Sequence, residues 1–357
     1  IIASKIFIKF CLECLEKSRL SCHDPNKYML TAGINGFGRF GLHLLKYYLD
    51  RSNRTNLLIK YINDDTITIK DAYYSLMHDK SVSFSEHKVE IKGNLLLILT
   101  PNNTLYKIEY TNRKKKEIPW IGKPEFILEC SGKSTQKSEC DLYFQGNTEC
   151  VLISATSWDS DATLIYGFNH QEYDKSQKVI SYGSCTVNAY VPLANYFQNS
   201  YGVKDSDVNV VHNIQPYRLK DNQTLTRNFC TLEKSGPKLL DFVDSGNFNV
   251  NYTIIPYTGV SMIDFRFSLS CNFNKDDVID NLMSACKEGV LKGLYNIDAE
   301  DVGPEIYNCT AFSSVFIREG IKVAGNNLYL PAYFDNENSV NRYYDLAQYI
   351  ASQHVKK

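Results

Sequence analysis

The chain has 357 residues, 43% of them hydrophobic and 22% charged, which excludes a disordered chain and a small stapled scaffold. Lys+Arg 39 against Asp+Glu 40 leaves a formal charge of −1, so no overall electrostatic case exists for a nucleic-acid or membrane-surface partner. No apolar run approaches the roughly 18 residues needed to cross a bilayer, and eleven irregularly spaced cysteines fit a reduced, cytoplasmic setting better than a disulfide framework.

Residues 1–28 read as an extension of doubtful origin. Met29 stands directly before the strand-like run Leu30–Asn35, so folding is expected to begin there. Lys5, Lys9, Lys17 and Arg19 interleave with apolar residues as in a targeting segment, but Glu13 and Glu16 speak against a transit peptide, and an over-extended gene model is preferred. Cys11-x-x-Cys14 followed by Cys22-His23 lacks the second tight pair of a zinc cluster, and no metal is expected.

From Met29 onward, apolar runs at 30–35, 57–62, 125–130, 150–154 and 178–182 alternate with helical periodicity such as Phe40–Leu49. That is the pattern of parallel strands joined by crossover helices. Two alternating runs in 87–110 flank Lys92-Gly93-Asn94 and predict a small antiparallel insertion. The run Arg113-Lys114-Lys115-Lys116 is expected to be a solvated loop. After Cys185, longer strands (207–215, 259–271) and amphipathic helices (275–289, 340–352) suggest a second domain with a mostly antiparallel sheet, with 241–251 an irregular connection. The expected fold class is α/β, a Rossmann-type doubly wound domain joined to an α+β domain.

Gly36-Phe37-Gly38-Arg39-Phe40-Gly41 matches G-x-G-x-x-G between a predicted strand and a predicted helix. The first glycine permits the turn, the second lets a pyrophosphate approach, and the third allows helix and strand to pack. Asp64 closes the second strand, where a carboxylate accepts from both ribose hydroxyls of NAD and repels the extra phosphate of NADP. Ser184-Cys185-Thr186-Val187-Asn188 follows the strand Val179–Ser181 and opens a helix, placing Cys185 where free amides and the dipole favour a thiolate. His212 follows 27 residues later in the strand-like run from Val208, a candidate base for that thiol.

Together these residues resemble the glyceraldehyde-3-phosphate dehydrogenase family. Ile34–Gly41 and Ile62-Asn63-Asp64 look like its dinucleotide fingerprint and ribose-binding strand end. Glu129-Cys130-Ser131-Gly132 is similar to its Glu-Ser-Thr-Gly loop, and Ile153–Ser157 to Ile-Ser-Ala-Pro-Ser with the proline lost. Tyr166–His170 and Glu172-Tyr173-Asp174 resemble Met-Gly-Val-Asn-His and Lys-Tyr-Asp. Ser184–Asn188 resembles the nucleophile motif Ser-Cys-Thr-Thr-Asn, and Phe334-Asp335-Asn336-Glu337 with Asn341-Arg342 resembles Tyr-Asp-Asn-Glu and Asn-Arg.

The resemblance implies an NAD-binding domain over 29–184, to which a C-terminal helix within 335–357 returns, and a catalytic domain over 185–334. It implies NAD as cofactor, with Asn35, Gly36, Phe37, Gly38, Arg39, Phe40, Gly41, Asp64, Arg113, Gly132 and Ser154 along the adenosine and pyrophosphate, and Asn336 on the nicotinamide. It implies Cys185 as nucleophile and His212 as base, with Ser184 and Thr186 in substrate binding. The reaction implied is oxidation of glyceraldehyde 3-phosphate through a thiohemiacetal and a thioester, with inorganic phosphate releasing an acyl phosphate. A glycolytic homo-oligomer is implied as well.

The pattern breaks at the substrate. The family's phosphate-binding threonine, three residues after the base, is Gln215, and the arginine of its Arg-Val-Pro-Thr is Ile254 in Ile254-Ile255-Pro256-Tyr257. A charge-assisted bond contributes roughly 1.5–3 kcal/mol, so its loss weakens binding of a phosphorylated aldehyde by one or two orders of magnitude. In the family a loop after the base carries a further phosphate-binding arginine, a place that Arg218 or Arg227 could take. The segment between His212 and Pro256 is also short, which puts a tetramer in doubt. Two alternatives therefore stay open: a dehydrogenase for a different aldehyde, phosphorylated or not, and a non-catalytic NAD-binding pseudoenzyme.

Overall fold

The computed structural model describes residues 29–51, 55–82, 84–335, 337 and 339–354. The extension 1–28, with its cysteine motif, and Asn336 lie outside the described residues. In chain order, the first half contains β1 (Leu30–Asn35), α1 (Arg39–Asp50), β2 (Leu57–Asn63), α2 (Ile69–His78), β3 (Lys88–Lys92), β4 (Leu95–Leu99), β5 (Leu105–Thr111), β6 (Phe126–Glu129), β7 (Cys150–Ile153), β8 (Ala162–Thr163) and β9 (Val179–Ser181). The second half contains α3 (Cys185–Tyr201), β10 (Val203–His212), β11 (Thr226–Arg227), α4 (Leu232–Leu239), β12 (Phe248–Ile254), β13 (Ser261–Leu269), α5 (Lys275–Lys287), β14 (Tyr295–Asp298), β15 (Ser314–Ile317), β16 (Lys322–Ala324), β17 (Asn327–Phe334) and α6 (Ser339–His354).

The first sheet has the order β3-β4-β5-β2-β1-β6-β7-β9-β8 and is parallel except for the β3-β4-β5 meander. Strand order reverses on either side of β1, and at such a switch point the strand ends open a crevice for a ligand. The hairpin turn at Lys92–Leu95 has Gly93 at φ +64, as the turn signal predicts. Helix α1 buries Leu42, Leu44, Leu45, Tyr48 and Leu49 on this sheet at the 3.6-residue period. Helix α6 returns beside α1, burying Val340, Tyr343, Leu346, Ala347 and Ile350 in the same core. Each such side chain contributes roughly 1.5–3 kcal/mol against exposure.

The second sheet runs β11-β12-β10-β13-β17-β15-β14, with β16 on β17, and is mostly antiparallel. It has its own core, in which Phe265, Phe267, Leu330 and Ala332 pack with α3 residues Tyr190, Leu193 and Phe197. One expectation is corrected: residues 248–251 belong to β12, which pairs parallel with β10 over Ser206–His212. Buried Arg342 ties the halves together, donating to Gly293 O at 2.7 Å and Ala311 O at 3.1 Å while paired with Asp345.

Candidate active site

The crevice at β1 is shaped by glycines. Gly36 has φ +97, and a Cβ there would lie 2.4 Å from Ser131 N, so only glycine allows the turn to pass the loop after β6. At Gly41 a Cβ would lie 2.2 Å from Gly36 O, which is the helix–strand packing role expected of the third glycine. Gly38, the residue before α1, faces open space, with nothing within 4 Å of a built Cβ. The loop therefore fits a pyrophosphate at the one glycine where approach is free.

Behind the loop lies a buried polar network. Asn35 Nδ2 donates to Glu129 Oε2 at 2.9 Å and to Tyr143 OH at 2.8 Å, and Asn63 Nδ2 donates to Asn35 Oδ1 at 3.0 Å. Asp64 is buried and accepts from Phe37 N at 2.7 Å through Oδ2. Its Oδ1 accepts from Thr66 N at 2.8 Å, Thr66 Oγ1 at 2.9 Å and Ile67 N at 2.8 Å. The ribose acid expected from sequence thus holds the loop to the strand end. Arg113 has an exposed side chain, and its carbonyl accepts from Asn63 Nδ2 at 3.0 Å. A cavity of about 330 Å³ beside the loop is lined instead by Lys115 and Lys116 from the same basic run, which sequence had assigned to solvent. Lys115 Nζ donates to Ser134 Oγ at 2.8 Å. Gly132 has φ +68 and faces open space, and Ser154 N donates to Glu129 O at 2.9 Å at the end of β7.

The thiol site begins where β9 ends. Gly183, at φ +82, turns the chain, and Ser184 caps α3 by accepting from Val187 N at 3.4 Å. Asn188 Nδ2 holds the turn through Tyr182 O and Ser184 O, both at 2.9 Å. Cys185 is therefore the first residue of α3. Its Sγ lies 3.8 Å from His212 Nε2. His212 Nδ1 is 2.8 Å from Asn213 O, and because a carbonyl only accepts, Nδ1 carries the proton and Nε2 turns its lone pair toward the sulfur. Burial pushes the Cys185 thiol up to about 12, with nearby Cys230 adding to the rise, while the amides of Thr186 and Cys185 pull the other way.

Around this pair sit three hydroxyls. Ser184 Oγ is 3.2 Å from Thr186 Oγ1 and accepts from Thr231 Oγ1 at 3.1 Å. Thr231 was missed from sequence because it lies within the shortened segment between His212 and Pro256. Tyr252 and Phe334 pack on the His212 ring, with centroids 5.4 and 5.6 Å away. Ile254 sits alongside His212 in the parallel β10–β12 register, and Gln215 Nε2 donates to Glu337 Oε1 at 3.3 Å. Of the two candidate arginines, Arg227 donates to Asn251 Oδ1 at 3.4 Å on the β11 edge. Arg218 is exposed, and its charge opposes the rise that burial, Cys185 and Cys230 impose on the Tyr252 hydroxyl.

A glycine-rich loop at the switch point of a parallel sheet, beside a second sheet whose first helix begins at Cys185, defines a dinucleotide-binding protein of the Rossmann class. The family model of the glyceraldehyde 3-phosphate dehydrogenase NAD binding domain matches residues 30–137. Glyceraldehyde-3-phosphate dehydrogenase 1 of Bacillus cereus is 26% identical over 344 residues, 91% of this chain and 99% of its own. The protein of the same name from Giardia intestinalis is 27% identical over 352 residues, 91% of this chain and 98% of its own. Glyceraldehyde-3-phosphate dehydrogenase of Echinococcus multilocularis is 28% identical over 338 residues, 89% and 97% of the two chains. Residues 30–137 thus match the NAD binding domain of glyceraldehyde 3-phosphate dehydrogenase, the chain is similar to proteins of that name over about 90% of its length, and its cofactor is NAD. Among the described residues, no helix is long and apolar enough to cross a membrane and no cluster could hold a metal ion.

Proposed function

We propose that the chain oxidises an aldehyde, glyceraldehyde 3-phosphate, to an acyl phosphate, with Cys185 as nucleophile and His212 as base. The observation that carries this reading is the Cys185 sulfur at the start of α3, 3.8 Å from the unprotonated nitrogen of His212. His212 Nε2 accepts the thiol proton, and the resulting thiolate is held by the imidazolium and the helix amides. Sulfur then attacks the aldehyde carbon, the carbonyl π pair moves to oxygen, and the imidazolium gives that oxygen its proton. His212 takes the same proton back as the carbonyl of the thioester reforms. Bound NAD supplies the hydride acceptor for that oxidation. Phosphate oxygen finally attacks the thioester carbon and Cys185 leaves as thiolate, with Ser184, Thr186 and Thr231 offering hydroxyl donors to the incoming anion.

In this reading 29–184, with the helix of 335–357, is the cofactor domain and 185–334 the catalytic domain. Asn35 to Gly41, Asp64, Arg113, Gly132 and Ser154 hold the adenosine and pyrophosphate, and Asn336 holds the nicotinamide. Eight free cysteines among the described residues support a cytoplasmic setting. Exposed Met262 and Tyr329, on neighbouring strands of the second sheet, support assembly with further copies.

A second reading, an unphosphorylated aldehyde as substrate, is favoured by Ile254 beside the base and by Gln215 engaged with Glu337. NADH formation by purified protein, with glyceraldehyde 3-phosphate and with glyceraldehyde, each with and without phosphate, separates them. Phosphate-dependent turnover of the phosphorylated substrate is expected. Turnover of glyceraldehyde alone selects the second reading, and no turnover of either points to a pseudoenzyme.

A further inference from the structure

In the proposed reaction the hydride crosses from one half of the molecule to the other. Thiol and base stand on the side of the second sheet, at the start of α3 and the end of β10, while the glycine-rich loop follows β1 of the first. A misplacement of about 1 Å between reacting groups is enough to slow such a step, so a tie between the halves that ends close to both groups bears directly on the rate.

Such a tie runs through Gln215. It follows the base by three residues, and the backbone between them is pinned: Asn213 N donates to Ser261 Oγ at 3.0 Å, Ile214 N to Tyr257 O at 2.8 Å, and His212 Nδ1 to Asn213 O at 2.8 Å. Half-buried Gln215 then leaves the second sheet, its Nε2 donating to Glu337 Oε1 at 3.3 Å. The same oxygen accepts from Arg39 Nε at 3.4 Å, and Arg39 is the first residue of α1, directly after Gly38. Arg39 is itself held, by Asp79 and by His43 Nε2 at 2.8 Å.

Glu337 serves as the junction because it stays ionised. Burial alone would raise its carboxyl, but the hydrogen bond with Asp335, the neighbouring His43 and Arg39 and the Gln215 amide together hold it down at about 2. Burial lifts Asp335 well above the usual carboxylate range, and its Oδ1 accepts from Glu337 N at 3.1 Å, so the two acids carry one charge between them. Bonds to an ionised acceptor are roughly twice as strong as neutral ones. The threonine that the family resemblance places at this position is shorter and would not span to Glu337.

We infer that Gln215 is a positioning residue for hydride transfer: through Glu337 and Arg39 it holds the Cys185–His212 pair at a fixed reach from the dinucleotide loop. That role rests on the proposed reaction and deepens it, because it turns the residue at the family's phosphate-binding place toward the cofactor side instead of the substrate.

The test is single-turnover NADH formation in stopped flow, using the full chain and ordinary or C1-deuterated glyceraldehyde 3-phosphate, with NAD titration and Cys185 alkylation on the same preparations. Gln215→Leu keeps the bulk and removes the amide. Its isotope-sensitive phase is expected to slow about three- to tenfold, while NAD affinity and the Cys185 alkylation rate stay within about twofold of wild type. Gln215→Thr, too short for Glu337, should slow that phase equally. A misfolded fraction lowers the amplitude of the phase and leaves its rate constant alone, so loss of structure does not imitate the result. An isotope-sensitive rate constant within about twofold of wild type in either variant overturns the inference. Equal slowing of Cys185 alkylation overturns it too, since the effect then lies in thiol activation. A wild-type chain that oxidises no aldehyde ends the proposed reaction and the inference together, an outcome distinct from an active wild type with indifferent variants.

Discussion

Cys185 and Cys309 each lie 3.8 Å from an imidazole nitrogen, His212 Nε2 for the first and His43 Nδ1 for the second. Burial pushes both thiols up to about 12. Distance and burial therefore do not separate them; hydrogen-bond direction does. His212 donates its proton to Asn213 O and offers a lone pair to Cys185. At the other pair, Arg39, which can only donate, lies 2.8 Å from His43 Nε2 and occupies that lone pair, so Nδ1 turns a proton toward Cys309. The Cys309 thiol donates elsewhere, to Asn308 Oδ1 at 3.4 Å. Burial also brings His43 down to about 4, so it stays neutral at pH 7. Asp335 raises both thiols, Glu337 raises Cys309 further, and Arg39 spends its charge on Asp79 and Glu337. A cysteine beside a histidine becomes a nucleophile only where the imidazole has a lone pair to give.

The largest effect that could break this contrast is on turnover. Cys185→Ser is expected to lower kcat for aldehyde oxidation by about 10⁴-fold or more. His212→Asn should lower it by about 10²–10⁴-fold, the range for losing a positioned base. His43→Asn should leave kcat within about twofold, and cost about 1–3 kcal/mol in urea unfolding because Arg39 loses a buried acceptor. A comparable kcat loss in the two histidine variants would show that the direction of the hydrogen bond does not matter.

Alkylation by iodoacetamide sharpens the same point through pH. A thiol near 12 leaves on the order of one part in 10⁵ as thiolate at pH 7, and that fraction rises tenfold per pH unit. Cys309 should follow this slope across the accessible range. Cys185 should react at least about 100-fold faster at pH 7 and level off well below pH 12, because proton transfer to His212 supplies thiolate without hydroxide. In His212→Asn the plateau should vanish and Cys185 fall back to the rising slope. Peptide mass spectrometry of partly labelled protein reads both sites at once.

Much of the first sheet was legible because parallel strands buried on both faces read as short apolar runs: β1 keeps the span 30–35, and β2, β6, β7 and β9 fall within a residue or so of theirs. The closeness of Cys185 and His212 was legible for a related reason, since they lie at the two ends of one helix–strand unit, α3 and β10. What was lost depended on distant pairing. β12 alternates Asn249 and Asn251 with Phe248 and Val250, and asparagine disfavours strands until a neighbour such as β10 supplies the ladder. The second cysteine–histidine pair joins residues 266 apart, and Lys115 meets Ser134 only through the fold.

A smaller change asks whether the substrate end can be restored beside an intact pair. Ile254 lies alongside His212, so Ile254→Arg places a guanidinium next to the base. A charge-assisted contact at this half-buried edge should lower KM for glyceraldehyde 3-phosphate about tenfold, with KM for glyceraldehyde unchanged. Equal changes for both substrates would mean that the position does not face the substrate's phosphate.

The smallest expected effect belongs to Cys309 itself. Its φ of +57 lies in the left-handed region, costing roughly 1 kcal/mol for a residue with a Cβ, and glycine would relieve that cost. The thiol also packs against the first core beside His43, and its removal gives back burial of similar size. Cys309→Gly should therefore change unfolding free energy by less than about 1 kcal/mol and kcat by less than about twofold. A large kcat loss with stability intact would place Cys309 in the chemistry, which the proton on His43 Nδ1 forbids. A large stability loss with kcat intact would mean that the contact from His43 to the sulfur contributes more than the strain it is set against.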